Sequence, residues 1–517
     1  MKLLLLFPNA ANWATISTAV PILSGLAKKR GWEVDYFDTW SYEKGVDSSS
    51  DKEKAGGFKP GFSLIKDATR PFSTIAPDLQ KKIDAFGPDL IAVTALSHEY
   101  EFLLKFFPQI KVPEKTKIII GGIHAILARD EVAETKLFDL VAFGEAEGLF
   151  GPLLERLEKG ESLGGIAGTY QCLRKTGEIF KNPKRELLPA EKLWEVEHDF
   201  SFFSPDYFLR PFDGQKIRRY DIEIARGCPY NCAYCGNSAL KEFNRGLGRY
   251  VKTRPIDSSM RHMKRMKDEY KIDIFQFTDE CFLAHPVSWL REFMDRYKAE
   301  INKPYIPQTR SETISEEKID LLLSYGIPFQ VSVGVESGAD HILNDICDRM
   351  CTQKQVMDAF EILNRRKIRT NAFFMIGFPF EKREDFFSTV ELCRKIRPSV
   401  ASVAIFQPLP GQKATKMCIE KGFITGKEPM ATFTSHSLLK MPAPYLSGEE
   451  IHNLWRTFIL YSSLPKENYG DIEKCEKDIG NNQELFESLI KLRWEKYDLS
   501  KEKGDIPLLP KEKQGGS

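Results

Sequence analysis

Short apolar runs alternate with helical stretches in two separate series along this chain of 517 residues. Such alternation is typical of βα units, in which helices join parallel strands and cover the sheet. The first series spans residues 1–160 and predicts strands at residues 2–7, 33–37, 90–94, 117–120 and 140–143. The second spans residues 221–423 and predicts strands at residues 221–225, 274–278, 305–309, 330–335, 370–375 and 402–406. We therefore predict an α/β protein, with a doubly wound Rossmann-like domain followed by a partial (β/α)6 barrel.

The remaining segments connect or extend these two domains. Residues 161–220 are predicted to be a connector with a hairpin, residues 424–500 a mostly helical region, and residues 501–517 a flexible tail. An insertion at residues 46–74, rich in Ser, Gly, Lys and Pro, is either a functional lid or disordered.

Composition excludes several classes of protein. The 74 Lys and Arg residues balance 73 Asp and Glu residues, so we expect no nucleic-acid partner. Ten cysteines are far too few for a disulfide scaffold, which favours a reducing, cytoplasmic location. The apolar start stops at Pro8, as a buried strand would, and no run of 18 apolar residues predicts a transmembrane segment. Peripheral membrane contact stays open.

The strongest chemical signal is a group of three cysteines directly after the predicted strand at residues 221–225. Cys228, Cys232 and Cys235 lie within eight residues. Three thiolates on one loop indicate a metal ion or an iron–sulfur cluster. Zinc usually takes a fourth protein ligand, and no fourth Cys or His is nearby, whereas a cubane cluster held by three cysteines leaves one iron open.

This cysteine spacing resembles the motif of the radical S-adenosylmethionine (SAM) superfamily. In that motif three and then two residues separate the cysteines, and an aromatic residue, here Tyr234, precedes the last. The resemblance implies one [4Fe-4S] cluster whose open iron binds SAM, which is then cleaved to methionine and a 5′-deoxyadenosyl radical. It also implies a partial barrel and a flavodoxin- or ferredoxin-type electron donor.

Candidate SAM-binding residues follow the cysteine motif and the later strands, because barrel enzymes place their chemistry at the carboxyl ends of the strands. A carboxylate suits a ribose or an ammonium group, an arginine suits a carboxylate, and a glycine admits a flat adenine. Taken singly, each residue could instead cap a helix. The candidates are Tyr234, Gly236, Asp279, Glu280, Arg310, Glu336, Ser337, Gly377, Phe378 and Gln407.

The first domain lacks a GxGxxG sequence after its first strand, so a dinucleotide site has little support. Small residues at its strand ends leave room for a bulky or tailed ligand. This arrangement resembles the cobalamin-binding domain that precedes the barrel in one branch of the radical enzymes. Thr94 and Leu96 match its Ser/Thr-x-Leu segment, residues 121–122 its paired glycines, and residues 144–147 its GExE-like element. The implied cobalamin-binding residues are Asn9, Ala10, Thr94, Leu96, Ser97, His98, Gly121, Gly122, His124, Gly144, Glu145 and Ala146.

The same resemblance leaves the cobalt without a protein histidine. Where some cobalamin proteins carry an Asp-x-His-x-x-Gly loop, residues 38–43 contain no histidine. The cofactor is therefore expected to be methylcobalamin without a His axial ligand, a state that favours methyl transfer. His98 and His124 are predicted to belong to the pocket rather than to bind cobalt.

The predicted function is a class B radical SAM methyltransferase, acting on an unactivated carbon or phosphorus of a small-molecule, lipid or peptide substrate. The alternative is a cyclase, ring-rearranging enzyme or oxidoreductase that uses the same cofactors without net methyl transfer. A methylthiotransferase would need three more cysteines in the first domain, and only Cys172 precedes the motif. The intact cysteine triplet disfavours a non-enzymatic scaffold, and Cys347 and Cys351 are predicted to be packing residues.

Overall fold

The chain forms two seven-stranded sheets, and the computed structural model describes them in residues 1–11, 14–44, 70–212 and 215–501. Most of the predicted insertion and all but the first residue of the predicted tail lie outside these residues. One face of the first sheet shares an apolar core with the barrel, because its buried residues, such as Leu3 and Leu149, belong to the same cluster as the barrel core, whereas Leu4 and Leu6 on the other face belong to a separate cluster. The two domains therefore pack as one body.

The first sheet has the strand order β2-β1-β3-β4-β5-β6-β7, and its first five strands are parallel. All five predicted strands are confirmed to within one residue. The hairpin predicted in the connector is also confirmed, and it extends this sheet in antiparallel fashion. The strands are β1 (Lys2–Phe7), β2 (Glu33–Asp38), β3 (Leu90–Thr94), β4 (Lys117–Gly121), β5 (Leu140–Ala142), β6 (Thr169–Cys172) and β7 (Ile179–Lys181).

Helices cover this sheet, and its central strands are almost continuously apolar, as strands buried on both faces must be. The strand order reverses between β1 and β3, and ligands of such open sheets bind at that point, outside the carboxyl ends of the strands. The helices are Ala19–Lys29, Ile75–Phe86, Ser97–Leu104, Ile123–Leu127, Arg129–Glu134 and Ala146–Glu158, followed by the short connector helix Ala190–Leu193.

The second sheet has the order β16-β15-β14-β13-β12-β9-β8, and strands β9 and β12–β16 are parallel. Five predicted barrel strands are confirmed to within two residues. The sheet strands are β8 (Leu209–Phe212), β9 (Gln215–Ile222), β12 (Ile274–Phe277), β13 (Tyr305–Arg310), β14 (Gln330–Glu336), β15 (Arg369–Ile376) and β16 (Val400–Ile405).

The prediction was wrong at the first barrel strand. β9 begins six residues before the predicted start and ends at Ile222, and the antiparallel strand β8 beside it was not predicted. Lys216, Arg218 and Arg219 make this stretch look like a charged loop. The chain then forms a separate two-stranded ladder, β10 (Ala225–Arg226) with β11 (Lys252–Thr253), before and after the cysteine loop.

Helices pack outside the barrel, and the predicted helical carboxy-terminal region begins its first helix only at Gly448. The indole Nε1 of Trp455 in that helix donates to the carbonyl of Val403, 2.9 Å away, which fixes the helix on β16. The helices are Gly236–Phe243, Ile256–Tyr270, Val287–Glu300, Glu316–Ser324, Gln353–Arg365, Arg383–Ile396, Lys413–Glu420, Gly448–Ser463, Tyr469–Lys477 and Gln483–Lys496. Across the described part of the chain, no helix combines the length and the hydropathy needed to cross a membrane.

Candidate active site

The three cysteines lie on one loop between β10 and helix Gly236–Phe243. Gly227 starts the loop with φ +87°, and a Cβ there would lie 2.8 Å from the carbonyl oxygen of Tyr250, so only glycine fits. In the middle of the loop, the Ala233 amide donates to the Cys347 carbonyl at 2.8 Å. Cys232 is buried, and the other two motif cysteines are half-buried. All three are free thiols, and the loop that carries them is held by β10 before it and by helix Gly236–Phe243 after it.

Two N–H groups point at sulfur atoms of this loop. Arg310 Nη1 donates to Cys232 Sγ at 3.0 Å, and the Asn237 amide donates to Cys235 Sγ at 3.4 Å. Burial raises the pKa of Cys228 to about 12 and that of Cys235 to about 11. These thiols become thiolates at neutral pH only if a metal centre compensates their charge.

The residues therefore fit an iron–sulfur cluster. Among the described residues, no three His, Cys, Asp or Glu side chains converge closely enough to hold a single metal ion. A cubane takes its thiolates at separate irons and gains from N–H donors at sulfur, which is what Arg310 and Asn237 supply.

Arg310 is held by four different neighbours. Its guanidinium pairs with Glu312, lies 3.8 Å from the centre of the Tyr230 ring, and donates through Nη2 to the Arg349 carbonyl at 2.6 Å. With the bond to Cys232, these contacts fix a buried positive charge beside the cluster loop. The predicted SAM-binding residue Arg310 therefore contacts a cluster cysteine directly.

Arg349 connects further predicted residues and was missed by the sequence analysis. Its Nη1 donates to the Tyr234 hydroxyl at 2.7 Å and lies 3.3 Å from Glu336 Oε1, and its Nη2 donates to the Gly334 carbonyl at 2.6 Å. Glu336 has φ +69° at a bulge in β14, a strained conformation that points to function. The one available signal was a charged residue between two buried cysteines, which matches no motif.

Tyr234 and Phe378 form one wall of the site. Their rings meet edge to face with centroids 5.6 Å apart, and Gln412 Nε2 donates to the Tyr234 carbonyl at 2.5 Å. The amides of Gly377 and Phe378 both donate to the buried carboxylate of Glu381, which fixes the loop after β15. The structure thus places the Phe378 ring beside that of Tyr234, with Gly377 preceding Phe378 in the chain. Gln412 and Glu381 were not predicted, because they follow no strand end.

The other predicted SAM-binding residues are placed differently. Asp279 Oδ1 accepts the amides of Ile224 and Ala225 at 2.7 and 2.6 Å, while its buried Oδ2 has no partner. Burial raises the pKa of Asp279 to about 8. Asp279 therefore holds the chain that leads into the cysteine loop, whereas the neighbouring Glu280 is exposed.

Three more predicted residues complete this set. Gln407 Nε2 donates to two carbonyls of the segment before the last helices, and its buried Oε1 is without a partner. A Cβ at Gly236 would meet nothing within 4 Å, so this position leaves open space beside Cys235. The Ser337 hydroxyl is completely buried, 3.3 Å from that of Thr389, and so packs against a helix away from the cysteine loop.

At the carboxyl edge of the first sheet, a narrow and mostly apolar cleft opens between the strand ends and helix Ala19–Lys29. Among the described residues, a Cβ at Gly121 would approach Ala142 alone, at 3.9 Å, and one at Gly144 would meet nothing within 4 Å. Both positions therefore leave space that side chains would fill, which suits a tailed ligand. Five predicted cobalamin-binding residues line this cleft: Thr94, Gly121, Gly122, Gly144 and Ala146.

Glycine is required at position 122 by the backbone geometry. It has φ +101°, and a Cβ there would lie 2.5 Å from the Ala95 carbonyl oxygen. The paired glycines thus play two roles, since Gly121 leaves space and Gly122 lets two strand ends approach.

Of the two predicted histidines, His124 is buried and His98 is half-buried. His124 stacks on Tyr100 with centroids 4.2 Å apart, and its Nδ1 lies 3.1 Å from the Ser97 hydroxyl. Burial lowers the pKa of His124 to about 4 and also lowers that of His98. Both are therefore neutral at physiological pH.

The remaining predicted cobalamin-binding residues lie at or near the same edge. Asn9 is buried and caps its own loop, since its Oδ1 accepts the Ala11 amide at 2.8 Å, and Ala10 is half-buried. Leu96 is 41% exposed, which is unusual for a leucine at a strand end. It offers an apolar surface at the edge where the cleft opens.

The turn at residues 144–147 ties this edge to the barrel. Glu145 pairs with the buried Lys252, and its Oε2 accepts the Leu188 amide at 2.7 Å. Glu147 pairs with Arg226 at 2.9 Å, and Arg226 also pairs with Glu223. Arg226 precedes the cysteine loop and Lys252 follows it. The predicted cobalamin edge and the predicted cluster loop therefore share two ion pairs, which we call the interdomain clamp.

Comparison with known proteins shows what this chain is similar to. Residues 222–393 match the Radical SAM superfamily. An uncharacterized methyltransferase from Pyrococcus horikoshii is 26% identical over 402 residues, covering 76% of this chain and 83% of that protein. The cytidylyl-2-hydroxyethylphosphonate methyltransferase from Streptomyces wedmorensis is 23% identical over 419 residues, covering 74% of this chain and 76% of that protein.

A solved structure shows the same two-domain architecture. TsrM from Kitasatospora setae, a radical SAM methyltransferase whose structure holds cobalamin and a [4Fe-4S] cluster, aligns with a TM-score of 0.59 at 16% identity. The alignment covers 81% of this chain and 75% of TsrM. The predicted fold and the predicted resemblance are thus confirmed, and the chain is a radical SAM enzyme with an α/β domain in front of its barrel.

Proposed function

We propose that this protein is a cobalamin-dependent radical SAM methyltransferase that methylates an unactivated carbon or phosphorus centre. One observation supports this most: the loop of three cysteines, with N–H donors at two of its sulfurs, is tied by the interdomain clamp to a strand edge shaped by glycines. The methyltransferases similar to this chain support the same assignment.

When bound, the cluster supplies the electron that cleaves SAM, and the cobalamin supplies the methyl group. The chain's own residues would hold and orient these groups. Cys228, Cys232 and Cys235 would ligate the cluster, and Arg310 would stabilise its negative charge through the N–H···S bond. Glu280 is exposed and available for the SAM ammonium or ribose, and the wall of Tyr234 and Phe378 offers a flat apolar surface for adenine.

The glycine-shaped cleft would take the cobalamin tail. Residues 38–43 contain no histidine, and Asp38 is occupied in accepting the hydroxyls of Tyr36 and Tyr207 at 3.0 and 2.9 Å. We therefore expect cobalt without a protein imidazole. Electron paramagnetic resonance of the cobalt(II) form would test this, because imidazole nitrogen produces a superhyperfine splitting that should be missing from the spectrum.

The proposed reaction can be tested before the acceptor is known. Anaerobically reconstituted protein with cobalamin, reductant and methyl-labelled SAM should form 5′-deoxyadenosine, and separately should methylate cobalamin with an equal amount of S-adenosylhomocysteine. The alternative cyclase or oxidoreductase would release deoxyadenosine and no stoichiometric S-adenosylhomocysteine. That outcome would overturn the methyltransferase assignment and leave the radical SAM assignment standing.

The acceptor is expected to be a small molecule, a lipid or a peptide, and the electron donor a flavodoxin or ferredoxin. Mass spectrometry of cells with and without the gene would identify a compound heavier by one methyl group. With that acceptor, each turnover should yield deoxyadenosine and S-adenosylhomocysteine in about equal amounts.

A further inference from the structure

A second cavity, of about 110 Å³, lies between the two domains and away from the glycine-lined cleft. One wall is β9 beyond Arg218, where its pairing with β8 has ended. The opposite wall is the amino-terminal end of helix Ala19–Lys29, with Thr18 and Pro21. We call this space the β9-edge cavity.

Arg254 lines the β9-edge cavity with an incompletely paired guanidinium. Its side chain is 5% exposed, and its Nε donates to the Ser258 hydroxyl at 3.1 Å. Its two terminal nitrogens have no hydrogen-bond or ion-pair partner among the described residues. A buried cation without a counter-charge is costly, and burial lowers the pKa of Arg254 to about 10.

The charged residues around the cavity do not balance. Arg219 pairs with Asp221, and Arg226 pairs with both Glu223 and Glu147. Among the residues that the structure describes, the other two arginines of the lining, Arg210 and Arg254, have no carboxylate partner, and the hydrogen bonds of Arg210 go to backbone carbonyls. Four arginines face three carboxylates, which leaves an excess of one positive charge.

The helix end adds to this excess. Helix Ala19–Lys29 has 11 residues, no acidic residue in its first turn and no side-chain cap at Thr18. The partial positive charge at a helix amino terminus attracts anions, and here an aspartate or a capping oxygen that would normally satisfy it is absent from the first turn. The Val20 amide already donates to the Ser17 carbonyl at 3.2 Å and Pro21 has no N–H, so the helix end contributes a partial positive charge rather than a set of free donors. The hydrogen-bond donors for an anion come from Arg254.

We propose that the β9-edge cavity binds a singly charged anionic group, a carboxylate or a phosphodiester, of the molecule that accepts the methyl group. Two of its lining residues, Glu147 and Arg226, form part of the interdomain clamp, so a group held here lies between the segments that build both predicted cofactor sites. The identification of the anion as part of the methyl acceptor rests on the proposed function. The anion site itself does not.

Crystals of the full-length protein soaked in bromide test the site directly, because bromide carries one charge and is located by its anomalous scattering. We expect a bromide peak within hydrogen-bond distance of the Arg254 guanidinium. Arg254→Gln should lose this peak, whereas Arg261→Gln, which removes an exposed arginine of the next helix, should keep it. A wild-type crystal with no peak at Arg254, or a peak that survives in Arg254→Gln, would overturn the proposal.

Anion binding in solution can be measured by comparing the thermal unfolding midpoint in acetate with that in neutral acetamide. Acetate at about 100 mM should raise the unfolding midpoint of the wild type and of Arg261→Gln by about 2 °C relative to acetamide, and should not do so for Arg254→Gln. Thr18→Asp places a carboxylate at the helix end, where it stabilises the helix and fills the site. This variant should fold and should also lose the acetate effect, which keeps the test valid if Arg254→Gln folds poorly.

Two further measurements distinguish an anion site for the methyl acceptor from a site for cobalamin, and distinguish failure of this proposal from failure of the proposed function. Cobalamin itself carries a phosphodiester, and if loading with cobalamin abolishes the acetate effect, the anion belongs to the cofactor and the acceptor assignment is wrong. Cleavage of SAM in the absence of acceptor should be equal in Arg254→Gln and the wild type. If no protein cleaves SAM but bromide binds, the proposed function fails while the anion site stands.

Discussion

The cysteine loop and the edge of the first sheet are built in opposite ways. Around the loop, side chains crowd together: Arg310 alone contacts Cys232, Glu312, Tyr230 and the backbone of Arg349. At the sheet edge, glycines replace larger side chains, and Gly121 and Gly144 leave space that no described residue fills. The first site is defined by charges and donors, and the second by shape.

This difference predicts different consequences of mutation. A site built from charges depends on a few atoms and should fail completely when one of them is removed. A site built from space should fail when atoms are added, and its stability should hardly change. The predictions below test each half of this contrast, beginning with the largest effect.

Replacing any one of Cys228, Cys232 and Cys235 with Ala should reduce SAM cleavage to background. The iron content should fall from about four per chain to less than about one, because a cluster with two thiolates is poorly held. Iron analysis and the yield of 5′-deoxyadenosine measure both effects. The double variant Cys347→Ala/Cys351→Ala is the control and should retain most of the iron. Iron near eight per chain, or loss of the cluster in the control, would reveal a second cluster site.

Two neighbouring glycines should respond in opposite ways. A Cβ at Gly121 would have its nearest described neighbour 3.9 Å away, so Gly121→Val should narrow the cleft: cobalamin affinity should fall by about 10-fold or more while the free energy of unfolding changes by less than about 1 kcal/mol. Gly122→Ala meets the Ala95 carbonyl and has φ +101°, so it should cost about 3 kcal/mol or more of stability.

Cobalamin titration and chemical denaturation of both variants provide the measurements. Normal cobalamin binding by Gly121→Val would show that the cleft is not the cofactor site. In that case the space at the sheet edge could no longer be interpreted as a binding site defined by its shape.

The same contrast explains how much could be predicted from the sequence. The strands of the first sheet were predictable because strands such as β3 are almost entirely apolar. A metal centre could be predicted because three cysteines within eight residues are rarely anything but ligands of one. Arg349 could not be predicted from the sequence, because no motif indicates that the chain after β14 folds back to place this residue in the site. The start of β9 was missed because its charged residues face partly open space rather than a uniform core.

Replacing Arg310 with Met should leave the cluster assembled and lower its reduction potential. A hydrogen bond to a charged group is worth about 1.5–3 kcal/mol, and only the part of it that differs between the oxidised and the reduced cluster changes the potential. Removing the bond to Cys232 should therefore shift the one-electron potential to more negative values by up to about 130 mV. A redox titration followed by electron paramagnetic resonance measures the shift. Arg310→Lys keeps the charge and should give a smaller change, and an unchanged potential in both variants would mean that Arg310 acts on the fold alone.

Asp279→Asn should change how stability depends on pH. Burial raises the pKa of Asp279 to about 8, so the folded protein binds a proton that the unfolded chain releases above its usual value near 4. The contribution of this group is thus fully present below about pH 4 and is lost as the pH rises to about 8.

Asparagine can still accept the amides of Ile224 and Ala225 and does not titrate. The free energy of unfolding of the variant should therefore fall less steeply with pH between about 4 and 8 than that of the wild type. Denaturant titrations at several pH values measure this slope. Identical slopes in both proteins would show that Asp279 is ionised in the folded state.

The interdomain clamp limits how this chain can be divided or recombined. Lys252 is 1% exposed, and cutting away the first domain would leave it without Glu145 and Arg226 without Glu147. If a replacement domain buried Lys252 without an acidic partner, the unpaired charge would cost about 3–5 kcal/mol, a large fraction of the stability of most domains. We therefore expect the barrel to depend on the first domain for its stability. Exchanging the first domain for that of a relative should succeed only when the new domain also has both acidic residues of the turn.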